Sequence, residues 1–118
     1  PYLQYAHARA HLILTRAEAE RLTWDEVTVL TEPAEQNLAL LLSRFGEIVA
    51  LVASDLQPHK LCTYLFELAT AMSVFYEQCP VLKSEGEVCA SRLALCATTR
   101  KVLATGLGLL GIEAPNQM

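Results

Sequence analysis

Residues 58–80, PHKLCTYLFELATAMSVFYEQCP, decide the fold of this chain. Their large apolar side chains recur at steps of four, three, four and three residues, at Leu61, Leu65, Leu68, Met72 and Phe75. This spacing places them on one face of an α-helix. Pro58 suits the first turn of a helix, whereas Pro80 cannot continue one. The stretch therefore predicts one long amphipathic helix that ends near residues 76–79.

Helical periodicity extends over most of the remaining sequence. We expect a first helix over about residues 2–21 and a last helix over about residues 87–111. From Pro33 onward we expect two helices or one bent helix, with Gly46 as the cap or kink. Residues 23–31 are expected to form a turn and loop. Helices joined by short connections predict an all-α fold, an antiparallel bundle of about five helices.

The composition fits a single globular domain over residues 1–118. Its share of hydrophobic residues is 53%, with only 5 Gly and 5 Pro. We expect no apolar run to approach the ~20 residues that a membrane span needs, and hence no membrane partner. The sequence lacks an initiator Met, which favours a fragment of a larger protein. Four cysteines are expected to be reduced thiols in a cytoplasmic protein: Cys62, Cys79, Cys89 and Cys96.

The formal net charge of −4 argues against DNA or general nucleic-acid binding. Such binding depends on phosphate neutralisation by basic residues. A protein that stacks a few bases on aromatic rings is not excluded, because stacking depends little on net charge. The many acidic side chains within residues 18–35 also favour an alternative function. In that alternative, the chain is a non-catalytic protein-interaction bundle with no role in RNA binding.

Metal binding is a weaker alternative. His7 and His11 are four residues apart and share a helix face, but a metal site needs a third ligand. A zinc site formed by His59, Cys62 and Cys79 lacks a second closely spaced pair of ligands. We therefore expect no metal site.

Enzyme motifs are absent from the sequence. It contains no phosphate-binding glycine loop, no G-x-S-x-G elbow and no H-E-x-x-H. The glycine cluster GLGLLG at 106–111 ends a leucine-rich helix with no preceding strand, so close helix packing explains it better than a nucleotide site. We expect no catalytic residue in this chain.

A second stripe on the first helix carries aromatic and basic side chains. Its members are Tyr2, Tyr5, Arg9, Leu12 and Arg16. A tyrosine one turn from an arginine suits an unstacked base, because the ring covers the base and the guanidinium meets a phosphate or also stacks. By itself, such a stripe is more often the edge of an amphipathic core.

Three blocks of the sequence together resemble the C-terminal anticodon-binding domain of arginyl-tRNA synthetase. They are PYLQYAHAR at 1–9, PHKLCTYLFELATAMSVFYEQCPV at 58–81 and SRLALCATTRKVLATGLGLLGIEAPNQM at 91–118. The element SRLAL is similar to the DALR motif for which this type of helical domain is named. The resemblance covers nearly the whole chain.

The resemblance implies a function in tRNA recognition. A helical bundle of this type, found in class I aminoacyl-tRNA synthetases, grips the anticodon stem-loop of the arginine tRNA. A separate catalytic domain of the same chain then attaches arginine to the tRNA with ATP. ATP and magnesium would therefore belong to the full-length ligase, and this fragment would hold no cofactor. The enzyme would be cytoplasmic.

The resemblance also implies which residues contact the anticodon. They are Tyr5 of LQY, Tyr76 of FY and the C-terminal Met118. Some relatives carry an aromatic residue four positions after the second tyrosine. This chain has Pro80 there, so one stacking surface is absent or replaced.

Four basic residues are further candidates. Arg9, Arg16 and Lys60 are expected as contacts to the tRNA backbone. Arg100 lies within the apolar stripe of the last helix, where it would either form a buried salt bridge or meet RNA.

Overall fold

The structure, a computed structural model, describes residues 1–114 as a bundle of five α-helices. No strand occurs in this range. The helices are α1 (Tyr2–Ala19), α2 (Pro33–Ser43), α3 (Phe45–Asp55), α4 (Pro58–Gln78) and α5 (Gly86–Leu109). The predicted all-α bundle is confirmed.

Helix α4 lies at the centre of the core, as its periodicity predicts. The five apolar residues of its stripe are all buried. Helix α5 contributes the largest further set of buried side chains, among them Leu93, Leu95, Cys96, Leu103 and Leu107. Burial of one large apolar side chain contributes about 1.5–3 kcal/mol, so these two helices supply much of the driving force for folding.

Residue contacts show how the helices run. Gln4 at the start of α1 donates to the carbonyl of Glu113, beyond the end of α5, at 3.0 Å, so these two helices are antiparallel. Helices α1 and α4 run in the same direction, because Tyr2 lies beside Thr70 and Arg9 lies beside Tyr76. The outer surface between α1 and α4 therefore carries side chains from two segments that are distant in sequence.

Glycine at position 106 allows α5 to approach α4 closely. A Cβ atom at Gly106 would lie 2.7 Å from Leu65 Cδ2, which is shorter than a van der Waals contact, whereas one at Gly108 would meet nothing within 4 Å. The helix-packing explanation of the GLGLLG cluster is therefore confirmed for Gly106.

The break between α2 and α3 falls at Arg44, so the prediction of a cap or kink at Gly46 is wrong by two residues. Gly46 lies inside α3 instead. Helix α3 buries only Ile48, although most of its side chains are apolar. It ends at Leu56, which is 83% exposed and has a left-handed backbone with φ 52°.

The expectation that no apolar run is long enough for a membrane span needs correction. Within residues 1–114, the segment Pro33–Asp55 is long and apolar enough by length and composition alone, with a mean hydropathy of 1.5. Core helices of soluble proteins meet the same criterion. Here the segment is interrupted at Arg44, and it carries Glu35, whose carboxylate pairs with Arg92 inside the bundle.

The four cysteines are free thiols. Cys79, Cys89 and Cys96 are buried, and Cys62 is half-buried. Burial raises the pKa of the Cys96 thiol to about 12, so it stays protonated at neutral pH. The prediction of unpaired thiols packed as small hydrophobic groups is confirmed.

Candidate nucleic-acid interface

Two of the predicted contact residues lie on the outer surface between α1 and α4. Tyr5 projects from α1 and is 56% exposed. Tyr76 projects from the last turns of α4 and is 44% exposed. Both rings are open to a ligand, unlike Phe75, which is fully buried in the core beside Tyr76.

Arg9 links the two helices at this surface. Its guanidinium carbon lies 4.3 Å from the centroid of the Tyr76 ring, which is the geometry of a cation–π contact. The contact contributes about 0.5–1 kcal/mol at an exposed site. It covers one face of the Tyr76 ring and holds the ring in position.

A first groove, which we call the Tyr5 groove, runs between α1 and α4 on one side of Arg9. It has a volume of about 260 Å³ and is lined by Tyr2, Tyr5, Ala6, Arg9, Ala69, Met72 and Ser73. Small side chains and one methionine form its floor, so a flat group can enter without displacing a bulky residue. Its open edge is formed by the ring of Tyr5.

The aromatic surface continues beyond the Tyr5 groove. Tyr2 stacks on Phe66 with ring centroids 5.8 Å apart and an interplanar angle of 14°. Its hydroxyl lies 3.3 Å from Thr70 Oγ1. The sequence analysis did not identify Phe66 as part of this surface. Its aromatic side chain, which lies outside the buried stripe of α4, could have indicated it.

A second groove, the Tyr76 groove, lies on the other side of Arg9. It has a volume of about 390 Å³ and is lined by Ile13, Arg16, Tyr76, Glu77, Pro80, Val81, Leu82 and Lys83. The side chains of Arg16 and Lys83 give it two positive charges against one carboxylate. Pro80 stands in the wall of this groove, where its ring offers an apolar surface. Lys83 was also missed from sequence, because it stands in a loop with no periodicity.

The remaining predicted contacts lie elsewhere. Lys60 is in the first turn of α4, about 24 Å along the helix from Tyr76 at 1.5 Å per residue. Its ammonium pairs with Asp55 at 2.9 Å. Met118 lies outside the described residues.

Arg100 contacts a histidine on α1. Its guanidinium lies 3.1 Å from Nδ1 of His11. Because arginine has only donors, this nitrogen accepts the hydrogen bond. The contact ties α5 to α1, and no carboxylate pairs with Arg100 among the described residues.

The histidines and cysteines do not form a metal centre in the described part of the chain. No group of three His, Cys, Asp or Glu side chains with suitable geometry occurs within residues 1–114. The rings of His7 and His11 stack in parallel at 6.4 Å. Cys62 and Cys79 stand about 25 Å apart along α4, too far to share an ion.

Comparisons with known proteins agree with this geometry. A model of the DALR anticodon binding domain family matches residues 3–118. The chain is 65% identical over 130 residues to the arginine–tRNA ligase of Cutibacterium acnes, covering 100% of this chain and 23% of that protein. It is 50% identical to the arginine–tRNA ligase of Frankia casuarinae, covering 99% of this chain and 20% of that protein.

A solved structure shows the same fold. Thermus thermophilus arginyl-tRNA synthetase is similar with a TM-score of 0.90 and 40% identity, over 100% of this chain and 21% of that one. The chain thus spans between a fifth and a quarter of the length of these relatives. This chain belongs to the DALR anticodon-binding domain family, as the sequence resemblance predicts.

Proposed function

We propose that this chain is the C-terminal domain of a longer arginine–tRNA ligase and that it binds the anticodon stem-loop of the arginine tRNA. One observation supports this most strongly. The Arg9–Tyr76 pair stands between two open grooves that are lined by aromatic and basic side chains. Splayed nucleotides need this combination, because flat rings cover the bases while cations meet the phosphates.

Each groove then binds one nucleotide of the anticodon loop. A base in the Tyr5 groove stacks on the exposed ring of Tyr5, with Tyr2 at its border. A base in the Tyr76 groove stacks on the ring face that Arg9 leaves uncovered. Arg9 lines the Tyr5 groove and Arg16 lines the Tyr76 groove, so each can meet a phosphate beside one of the two bases. Met118 stays part of the proposal on the resemblance alone, and a contact of Lys60 with the tRNA backbone stays a prediction from its positive charge.

The overall acidity of the chain is compatible with this binding. The net charge is −4, yet the two grooves carry Arg9, Arg16 and Lys83. Stacking supplies about 1–3 kcal/mol per base without any need for a basic surface elsewhere. Most long-range attraction of the tRNA would come from other domains of the ligase.

The catalytic domain of the same ligase supplies the chemistry. It would hold ATP and magnesium, as the similarity to arginine–tRNA ligases implies for the full-length enzyme. The ligase would act in the cytoplasm. Exposed leucines on and beside α2 and α3 offer an apolar surface for contact with the rest of the ligase: Leu40, Leu51 and Leu56.

The test uses a ligase that carries these residues as its C-terminal domain. Tyr5→Ala and Tyr76→Ala remove one stacking ring each. We expect each to raise the KM for the arginine tRNA about fivefold or more, because ~1–3 kcal/mol of stacking is lost. Tyr5→Phe and Tyr76→Phe keep the ring, so they serve as matched controls and should stay within about twofold of the parent enzyme.

The outcome separates the proposal from its alternative. Anticodon binding is supported if the KM for the arginine tRNA rises in the alanine variants but not in the phenylalanine variants, while the KM for arginine and ATP stays unchanged. Unchanged aminoacylation in both alanine variants would leave the grooves without a role in tRNA recognition. In that case, the protein-interaction bundle would gain support.

A further inference from the structure

The loop after α4 forms one wall of the Tyr76 groove. The loop covers residues 79–85, and its residues 80–83 line the groove together with Ile13 and Arg16 of α1. A loop has no ladder of backbone hydrogen bonds to hold it. The carbonyl of Val81 accepts hydrogen bonds from the backbone N–H of Ser84 at 3.1 Å and from Sγ of Cys89 at 3.3 Å. Pro80, which stands nearer the Tyr76 ring in sequence, is held from inside the bundle by a separate contact.

Arg92 of α5 provides this fixation. Its Nη1 donates to the carbonyl of Pro80 at 2.8 Å, and its Nε donates to Glu35 Oε2 at 2.9 Å. The Arg92 side chain is only 12% exposed, and Glu35 is fully buried. The other oxygen of Glu35 accepts the backbone N–H groups of Thr31 and Glu32 at 3.1 and 2.8 Å. The guanidinium is thus anchored on one side and holds the loop on the other.

Proline makes this contact especially important. Pro80 has no N–H, so its carbonyl is the only backbone group through which the residue can form a hydrogen bond. Pro80 also stands one helical turn after Tyr76, and both residues line the same groove. A shift of the Pro80 carbonyl would therefore change the space beside the Tyr76 ring, although Arg92 does not line the groove itself.

We propose that Arg92 is a positioning residue for RNA binding: by holding Pro80, it sets the shape of the Tyr76 groove that receives an anticodon base. This inference rests on the function proposed above. It assigns the arginine of the SRLAL element a role in recognition in addition to its role in the fold.

Arg92→Lys in the full-length ligase tests the proposal. Lysine keeps the positive charge beside buried Glu35, but it lacks the planar fork that reaches two acceptors at once. We expect the KM for the arginine tRNA to rise about fivefold. The kcat and the KM for arginine and ATP should stay within about twofold. In a Tyr76→Ala background the same substitution should have an effect of less than about twofold, because coupled residues are not additive.

Two further variants keep the test decisive. Gly106→Ala serves as the control for altered core packing, since it disturbs the contact with Leu65 in the first half of α4 and neither residue lines a groove. If Arg92→Lys fails to fold, Arg92→Met combined with Glu35→Gln removes both charges and should raise the tRNA KM in the same way.

The results distinguish this inference from the proposed function. An unchanged tRNA KM in Arg92→Lys, or an equal rise in Gly106→Ala, would overturn the positioning role. The positioning role would also be overturned if Arg92→Lys and Tyr76→Ala had fully additive effects on the tRNA KM. If Tyr5→Ala and Tyr76→Ala themselves leave the tRNA KM unchanged, the proposed function fails first.

Discussion

At the scale of single residues, Glu35 shows how a charge can be buried in this small bundle. Burial by itself disfavours the ionised carboxylate. The hydrogen bond from Arg92 and the backbone N–H groups of Glu32 and Thr31 outweigh that effect and hold the pKa of Glu35 below its ordinary value of 4.5. The carboxylate also forms a capping box with Glu32 at the start of α2.

Glu35→Gln should therefore destabilise the protein in a pH-dependent way. The fold favours the ionised carboxylate, so its contribution is complete above about pH 4.5 and is lost as the pH falls through the lowered pKa. At pH 7 we expect a loss of about 3 kcal/mol in the free energy of unfolding, because Arg92 is left with an uncompensated charge. Urea unfolding at pH 7 and pH 3 measures both values.

The difference between Glu35→Gln and the parent chain should narrow at pH 3. Glu18→Gln, an exposed position near the end of α1, is the matched control and should change little at either pH. A difference that stays the same from pH 7 to pH 3 would show that the charge of Glu35 contributes nothing.

Sequence could indicate some site residues but not others. Tyr5, Arg9 and Arg16 follow one helical stripe, so their common face is predictable from spacing. Phe66 and Lys83 have no such pattern. Their place in the site depends on which helix packs beside α4 and on the course of a loop, and neither is encoded in local periodicity.

At the scale of elements, periodicity predicted α1, α4 and α5 to within a few residues. It was less successful for α3, whose apolar side chains lie mostly at the surface. Periodicity shows that apolar side chains share a face, but not whether another helix covers that face. For the same reason Leu109, at the end of the leucine-rich α5, is exposed at 58%.

The two glycines in the last turns of α5 should differ in how substitution by alanine changes the free energy of unfolding. Alanine favours a helix interior over glycine by about 1 kcal/mol. At Gly108 there is room for the methyl group, so Gly108→Ala should stabilise the protein by up to that amount. At Gly106 the methyl group meets the fully buried Leu65, and overpacking costs about 1–3 kcal/mol. Gly106→Ala should therefore be neutral to destabilising.

Thermal or urea unfolding of the two variants in parallel measures this difference. Each serves as the control for the other, because both gain the same helix propensity. Equal stabilisation by both substitutions would contradict a close approach of α5 to α4 at Gly106.

At the scale of the whole molecule, the candidate site depends on α1 and α4 running side by side in the same direction. This arrangement places Arg9 against Tyr76, and it places Lys60 at the far end of α4. No local pattern in the sequence contains that information, since the contact joins two distant segments. The resemblance to a known family supplied Tyr5 and Tyr76 as proposed contacts, and both rings are accessible in the fold.

The most direct test of the central claim is a crosslinking map. The arginine tRNA, carrying photoreactive 4-thiouridine in its anticodon loop, is irradiated in complex with the ligase, and the crosslinked peptides are identified by mass spectrometry. The account predicts crosslinks to the start of α1, including Tyr5, and to residues 76–83. Crosslinks confined to the acidic residues 18–35 or to α3, with none at the two grooves, would contradict it.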